Sequence, residues 1–488
     1  MISFSSSFGK IIYFILIVLI ITGVKQKAIA QDGHYWSENY GNRSMLLSGT
    51  VNASVEDLGA IFYNPGRLGQ IENPAFVISA KVYEWSTLRV EDGLDEGVDL
   101  NRNSFGGAPS LVAGTFSVPF LKNHKFAYSF LTRSRNEADF FVRVEEEDKE
   151  FQNIPGKVLF NGRFDFNTNF RQEWIGLTWS PPIIEKFSVG LSTFITRINK
   201  SSSLGLNMHT LDENKQVASL ILNRQYSYGT NGLIWKLGMA WDLLPVRLGM
   251  TVTTPKVNIS GNGSTLSEQY LVGVDTTGDG INDDVYLFNI QDNLKAQYHS
   301  PWAIGLGVGI HIKKTIIHIS AEWYDKVSHY KIIGADPFEI QSSGDTLGFT
   351  LFDELDPVFN YGIGLEMNLS EKISFYASIA TDYSGVSSDI TRFAELEEEA
   401  NNSVFQTDFI KFGGGFVLNT RWAEVTLGAT YAGASQEIKR PINFSGDEPV
   451  LDSDATSTIK FSQWRFILGF SFPFAEKMKK NLDGEPEE

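Results

Sequence analysis

The chain contains no cysteine, which excludes a disulfide framework, a lipid-modified N-terminal cysteine and any thiolate metal site or nucleophile. Long apolar runs are nearly as scarce. One unbroken stretch occupies residues 11–21, and nothing else approaches the roughly 20 residues that a helix needs to cross a bilayer. Passage through a membrane would therefore fall to strands closed into a barrel, where neighbouring strands satisfy every backbone polar group. Positive charge is also in deficit: 41 Lys and Arg against 58 Asp and Glu give a formal charge of −17. That balance speaks against nucleic acid as a partner. There is no Ser nucleophile elbow, phosphate-binding Gly-Lys loop or zincin helix, and the seven His show neither metal-ligand nor triad spacing. An enzyme is not expected.

What the sequence does hold is glycine and aromatic residues, 44 Gly and 36 Phe in 488 residues, proportions that suit a barrel with an apolar outside and a polar inside. Lys10 precedes the apolar run and Ala28-Ile29-Ala30 follows it. That order is a signal peptide over residues 1–30 with its cleavage site. Its loss removes Lys10, Lys25 and Lys27 and takes the formal charge from −17 to −20.

Beyond residue 73 the sequence alternates with period two in runs of about ten residues. In one run Trp302, Ile304, Leu306, Val308, Ile310 and Ile312 interleave with Ala303, Gly305, Gly307, Gly309 and His311. The same split recurs from Leu233 to Trp241, from Tyr361 to Leu369 and from Ile410 to Leu418, where Val417 breaks the pattern. Further runs lie near Phe76, Val112, Phe126, Ile175, Val189, Val246, Ile317, Phe375 and Val425. With the last run, Trp464 to Phe474, they predict an all-β, transmembrane antiparallel β-barrel of about fourteen strands over residues 73–474. The aromatic final strand is of the kind that barrel assembly machinery recognises, and a charged tail follows at 475–488. An even strand number puts both ends on the periplasmic side, with short turns at 243–245 and 313–314. Segments 91–103, 261–290, 336–356 and 394–402 are expected to be solvated loops. The localisation implied is the outer membrane of a Gram-negative bacterium, with its lipids as a partner.

Residues 31–72 do not alternate. They include Gly41-Asn42-Arg43-Ser44 and a small-residue stretch, Asp57-Leu58-Gly59-Ala60, that runs into Asn64-Pro65-Gly66. Their apolar side chains need cover, and the barrel lumen is the nearest place. The Gly- and Ser-containing N-terminal stretch, Asn64-Pro65-Gly66 before the first strand, and the strand number together resemble the FadL family of outer-membrane transporters for long-chain fatty acids and other hydrophobic compounds. The resemblance implies an N-terminal hatch (plug) in the lumen, with Asn64, Pro65 and Gly66 as hatch and gating residues. It also implies passive, hatch-gated diffusion of a hydrophobic small molecule, with exit sideways into the membrane. In that family the tripeptide is Asn-Pro-Ala, so Gly66 departs from it, with a looser turn expected. An ordinary Asn-Pro-Gly turn is the alternative. Lateral exit needs a disturbed strand, and Arg133-Ser134-Arg135-Asn136-Glu137 interrupts the third run. Some barrels of this family act instead as docking or shuttle components of protein secretion systems, and acidic loops fit that role too.

Lys236, Arg247 and Lys411 fall on the lumen face and are ligand head-group candidates for a carboxylate. Glu322, Glu366 and Glu424 fall there as well, so an ion-pair network is the competing role. No cofactor is required. A structural calcium remains open, because Asp275, Asp279 and Asp283 sit in a loop that resembles EF-hand calcium loops, with Gly280 at the sixth place. Thr277 stands where an acid is usual and Tyr286 where Glu closes the loop, which leaves a metal-free turn as the alternative. Titration with millimolar calcium separates the two: heat and a thermal shift mean binding, and neither means a turn.

Overall fold

The computed structural model describes residues 33–471, apart from 72–76, 108, 122, 152–153, 183, 185, 276–280, 387–398, 403–406, 421–422, 441 and 446–453. The expected signal peptide, the tail at 475–488, Phe472 and Phe474 lie outside the described residues. Among those described, no helix is long and apolar enough to cross a membrane.

Seventeen strands form one sheet. Antiparallel pairing runs from β1 (Val77–Asp95) to β3 (Pro109–Phe116), β4 (Lys125–Phe151), β5 (Ile154–Ser180), β6 (Phe187–Asp212), β7 (Val217–Leu243) and β8 (Val246–Thr253). It continues through β11 (Ala303–Ile312), β12 (Thr315–Tyr324), β17 (Val358–Asn368), β18 (Ile373–Asp382), β20 (Phe409–Asn419), β21 (Glu424–Lys439) and β22 (Thr456–Ser471). β22 pairs back to β1, so among the described residues fourteen strands close a barrel. Each overlaps one of the runs picked out by alternation, Phe76 of the first run lying outside the described residues. β2 (Val98–Gly106) stands on the upper half of β1, and β9 (Val257–Val272) with β10 (Val285–Lys295) on the upper half of β7.

The two ends of the barrel differ. Leu244-Pro245 alone separates β7 from β8, and Lys313-Lys314 alone separates β11 from β12. This is the end that holds Val77 and Ser471. The opposite end carries β9, β10, a small sheet of β13 (Val327–Gly334), β16 (Thr350–Leu355) and β19 (Glu399–Asn401), and the hairpin of β14 (Phe338–Glu339) and β15 (Thr346–Leu347).

Several segments expected to be loops are therefore strands. Residues 91–103 form most of the β1–β2 hairpin, 261–290 belong largely to β9 and β10, and 336–356 contain β14, β15 and β16. Of 394–402, residues 399–401 form β19 and most of the rest lies outside the described residues.

The physical reason shows in β5. Below residue 174 its outward side chains are Ile175, Leu177 and Trp179, all exposed, while Thr178 and Ser180 face inward and are buried. Above it the phase inverts: Phe160, Phe164, Phe166 and Phe170 are buried inward, and Arg163 and Asp165 face out. β6 and β7 invert at the same level, marked by the rungs Ile175↔Ile195 and Ile195↔Leu233. A strand facing lipid turns its apolar residues outward, whereas one standing in water turns them inward. The inversion thus marks the upper edge of the membrane, and β4 to β7 stand well above it as a wall with a packed interior. In β7, Leu233 to Trp241 is about the nine residues that a tilted strand needs to cross the apolar band.

Leu306→Arg, on the lipid face, is expected to destabilise the barrel by about 2–4 kcal/mol. Asn207→Arg, outward but above the inversion, should change stability by less than about 0.5 kcal/mol. Reversible denaturant unfolding in lipid vesicles measures both.

Candidate functional site

Residues 33–71 occupy the lumen. Short helices at Asn42–Leu46, Ala60–Tyr63 and Pro65–Leu68 carry apolar side chains, among them Leu46, Ile61 and Leu68, that are fully buried against the inner wall. Asn64 joins segment to wall. It caps the last helix by accepting from the Gly66 amide at 3.0 Å, and its Nδ2 donates to the carbonyls of Asn52 at 2.8 Å and Met239 of β7 at 2.9 Å. Pro65 begins that helix, where its missing N–H costs nothing.

Gly66 is helical, so it is not there for a looser turn as its place in the sequence suggested. A Cβ on Gly66 would lie 2.9 Å from the Gly238 carbonyl, and one on Gly238 would lie 2.2 Å from Asn64 Oδ1. Glycine on both sides lets two backbones touch. Gly41 is required for another reason. At φ +80 it lies over the buried Asp57 carboxylate, where any Cβ would collide. Burial pushes that carboxyl up to about 6.

Paired charges bind the segment to the wall. Arg43 reaches Glu424 at 2.5 Å, Arg67 reaches Asp242 at 2.7 Å and Glu38 holds Arg465 at 3.0 Å. The three head-group candidates all face the lumen, each in company. Lys236 lies 3.5 Å from Glu322 and 4.8 Å from the centre of the Phe62 ring. Arg247 holds Glu56 at 2.5 Å, and Lys411 donates to the Trp36 carbonyl. Glu322 also accepts from Trp36 Nε1 at 2.9 Å and Tyr324 at 2.6 Å, and Glu366 lies 3.5 Å from His318. Together these contacts link the luminal segment to the wall. Asp279 lies outside the described residues, between Asp275 and Asp283, and among the described residues no cluster of His, Asp and Glu could hold a metal ion.

The wall is interrupted one strand earlier than the sequence suggested. β4 runs continuously through 133–137 with only a bulge between Thr132 and Ser134, which turns both Arg133 and Ser134 into the lumen. The break falls between β2 and β3, around Gly106 and Gly107. β3 is laddered to β4 as far as Leu111↔Leu131. Above that rung, among the described residues, no ladder joins β2 to β4. A cavity of about 610 Å³ opens there, reaching from Phe105, Gly106 and Gly107 in the wall to Asp382, Lys411 and Arg465 in the lumen.

A smaller cavity of about 60 Å³ lies beside Phe62, lined by Arg133, Trp174 and Lys236. Arg133 and Trp174 were not singled out from the sequence. Arg133 lies over both the Phe62 and Trp174 rings, and among the described residues its buried Nη1 and the buried Trp174 Nε1 have no hydrogen-bond partner. Trp174 turns inward by the alternation of β5, whereas the inward turn of Arg133 depends on the bulge in β4.

No protein-family model and no curated protein matches the sequence. Solved structures do. A FadL homologue from Pseudomonas aeruginosa superposes with a TM-score of 0.55 at 10% identity, over 90% of this chain and 100% of that one. The Pseudomonas putida toluene transporter TodX gives 0.52 at 11% identity, over 89% and 98%. The Ralstonia pickettii toluene transporter TbuX gives 0.51 at 11% identity, over 89% and 98%.

The chain has the FadL-type fold. Within it, Asn64 caps a helix and satisfies two carbonyls at once, one of the segment and one of the wall. Asn64→Ala in this FadL-type barrel is expected to cost about 2 kcal/mol and to raise amide exchange over residues 33–71 while leaving the strands protected. Hydrogen exchange resolved by segment checks this.

Proposed function

We propose that this chain is an outer-membrane channel for hydrophobic and amphipathic small molecules, with residues 33–71 as its hatch and the gap at Gly106 and Gly107 as its exit. The observation that carries this reading is the cavity of about 610 Å³ joining lumen to wall. An apolar solute leaving through the floor would have to be hydrated, whereas a solute leaving through the wall keeps its apolar part against lipid. Two structures of the same fold are described as toluene transporters. Here Glu84, Arg102, Arg135 and Lys411 line the cavity, so the cargo we infer carries a polar group as well as an apolar chain. Lys411 faces this cavity and Lys236 the smaller one beside Arg133 and Trp174, which makes them the head-group candidates. Arg247 lines neither of these two cavities and holds the hatch through Glu56.

Asn64, Pro65 and Gly66 would gate by releasing the wall at Gly238 and Met239. The bilayer and the barrel assembly machinery are the remaining partners, the latter reading the outward Trp464, Phe466 and Phe470. One observation favours the second reading, a docking component of a secretion system: the lumen above the membrane is filled by an apolar cluster that includes Phe164, Tyr226, Ile333 and Phe349.

Planar-bilayer conductance and uptake of a fluorescent fatty acid into proteoliposomes test the hatch. A chain lacking residues 31–69 should conduct ions steadily, unlike the intact chain, and should lose selectivity for the amphipathic dye. Unchanged conductance and uptake would contradict the hatch.

A further inference from the structure

The seam above the wall opening is closed by side chains in place of a backbone ladder. β1 is anchored to β22 as far as Glu91↔Thr458, and β2 hangs on β1 from Glu84↔Gly106 to Asp95↔Val98. Its other side faces β4, which is itself laddered to β5 up to Phe151↔Ile154. Among the described residues two ion pairs cross from the β1–β2 hairpin to β4. Arg102 reaches Glu137 at 3.2 Å, and Lys149 of β4 reaches Asp95 at the tip of the β1–β2 hairpin at 3.2 Å. Behind them Leu94 and Leu100 pack in the same apolar cluster as Ala138 and Phe140.

The faces do not match as laddered strands would require. Arg102 shares the inward face of β2 with the buried Leu100, whereas Glu137 points outward from β4 beside the buried Ala138. Laddered neighbours turn paired side chains to the same face, so this contact passes through the gap between the strands. At the foot of β2, a Cβ on Gly106 would meet nothing within 4 Å, and Pro109, two residues past Gly107, has no N–H to give a ladder.

We infer that the upper part of the β1–β2 hairpin is a flap, latched to β4 along β2 by Arg102–Glu137 and at its tip by Asp95–Lys149. Its release extends the wall opening upward from Gly106 towards Val98, to pass amphiphiles with heads too large for the closed gap. The inference rests on the transport reading and adds regulation to its exit. Partly exposed ion pairs are screened by salt, so the flap opens more readily as ionic strength rises. A continuous ladder would not respond in that way.

Because the chain has no cysteine, Ala138→Cys supplies a single thiol beneath the flap. Its rate of reaction with a water-soluble maleimide reports opening without any cargo. In folded barrels, verified by heat-modifiable migration, Arg102→Glu should raise that rate about fivefold by setting like charges against each other, and raised salt should do the same to the parent. The exchanged pair, Arg102→Glu with Glu137→Arg, should restore it. Glu137→Arg alone repeats the test from the other strand, should Arg102→Glu fail to fold. Equal labelling in every background overturns the flap. Labelling that follows the charges in a barrel that takes up no amphiphile upholds the flap and overturns the transport reading instead.

Discussion

The hydrocarbon of a bilayer offers no hydrogen bond to a peptide group, and the whole architecture answers to that fact. Within the apolar band the fourteen-strand circuit must be complete, and it is: the rungs from Leu111↔Leu131 down to Phe116↔Phe126 keep β3 on β4. The ladder stops one rung above Val112↔Phe130, and Phe130 is paired to Ile175, the uppermost of the outward run Ile175, Leu177 and Trp179 in β5. The wall therefore opens where the membrane ceases to demand that it be closed. A gap at that height leaves its unpaired groups in reach of lipid heads and water, and still borders lipid through Phe105 and Phe130.

The same requirement decided how much of the fold was legible. In the apolar band the inside is small and polar and the outside is apolar, so alternation marked each barrel strand by name, from Trp302 to Ile312 as clearly as from Trp464 to Phe470. Above the band the phase reverses, and in β6 an apolar residue such as Leu204 or Leu206 faces in while Ser203, Gly205 and Asn207 face out. Hydropathy read with one expected phase treats such a stretch as a loop, which is why 91–103 and 261–290 were misplaced. Charge along the sequence points to a break at Arg133 to Glu137, but the wall breaks where Gly106, Gly107 and Pro109 withdraw a side chain, a side chain and an N–H.

The luminal segment was legible as a segment in need of cover, and Asn64 as its marked residue. What could not be read was the complement on the wall. Gly66, which departs from the family tripeptide, meets Gly238 of the wall, and Lys236 lies 3.5 Å from Glu322. Contacts between residues so far apart in the chain, 86 positions for Lys236 and Glu322, carry no local pattern. Burying paired charges between the luminal segment and the wall gives them geometry more than stability, and the segment has no ladder of its own to fix its seating.

Cargo that leaves through the wall must pass Gly106, so filling the gap there must stop it. Uptake of a fluorescent fatty acid into proteoliposomes by the Gly106→Trp variant is the deciding measurement. Uptake should be largely abolished while the barrel still folds and remains closed to ions; uptake at the level of the unaltered chain would contradict exit through the wall.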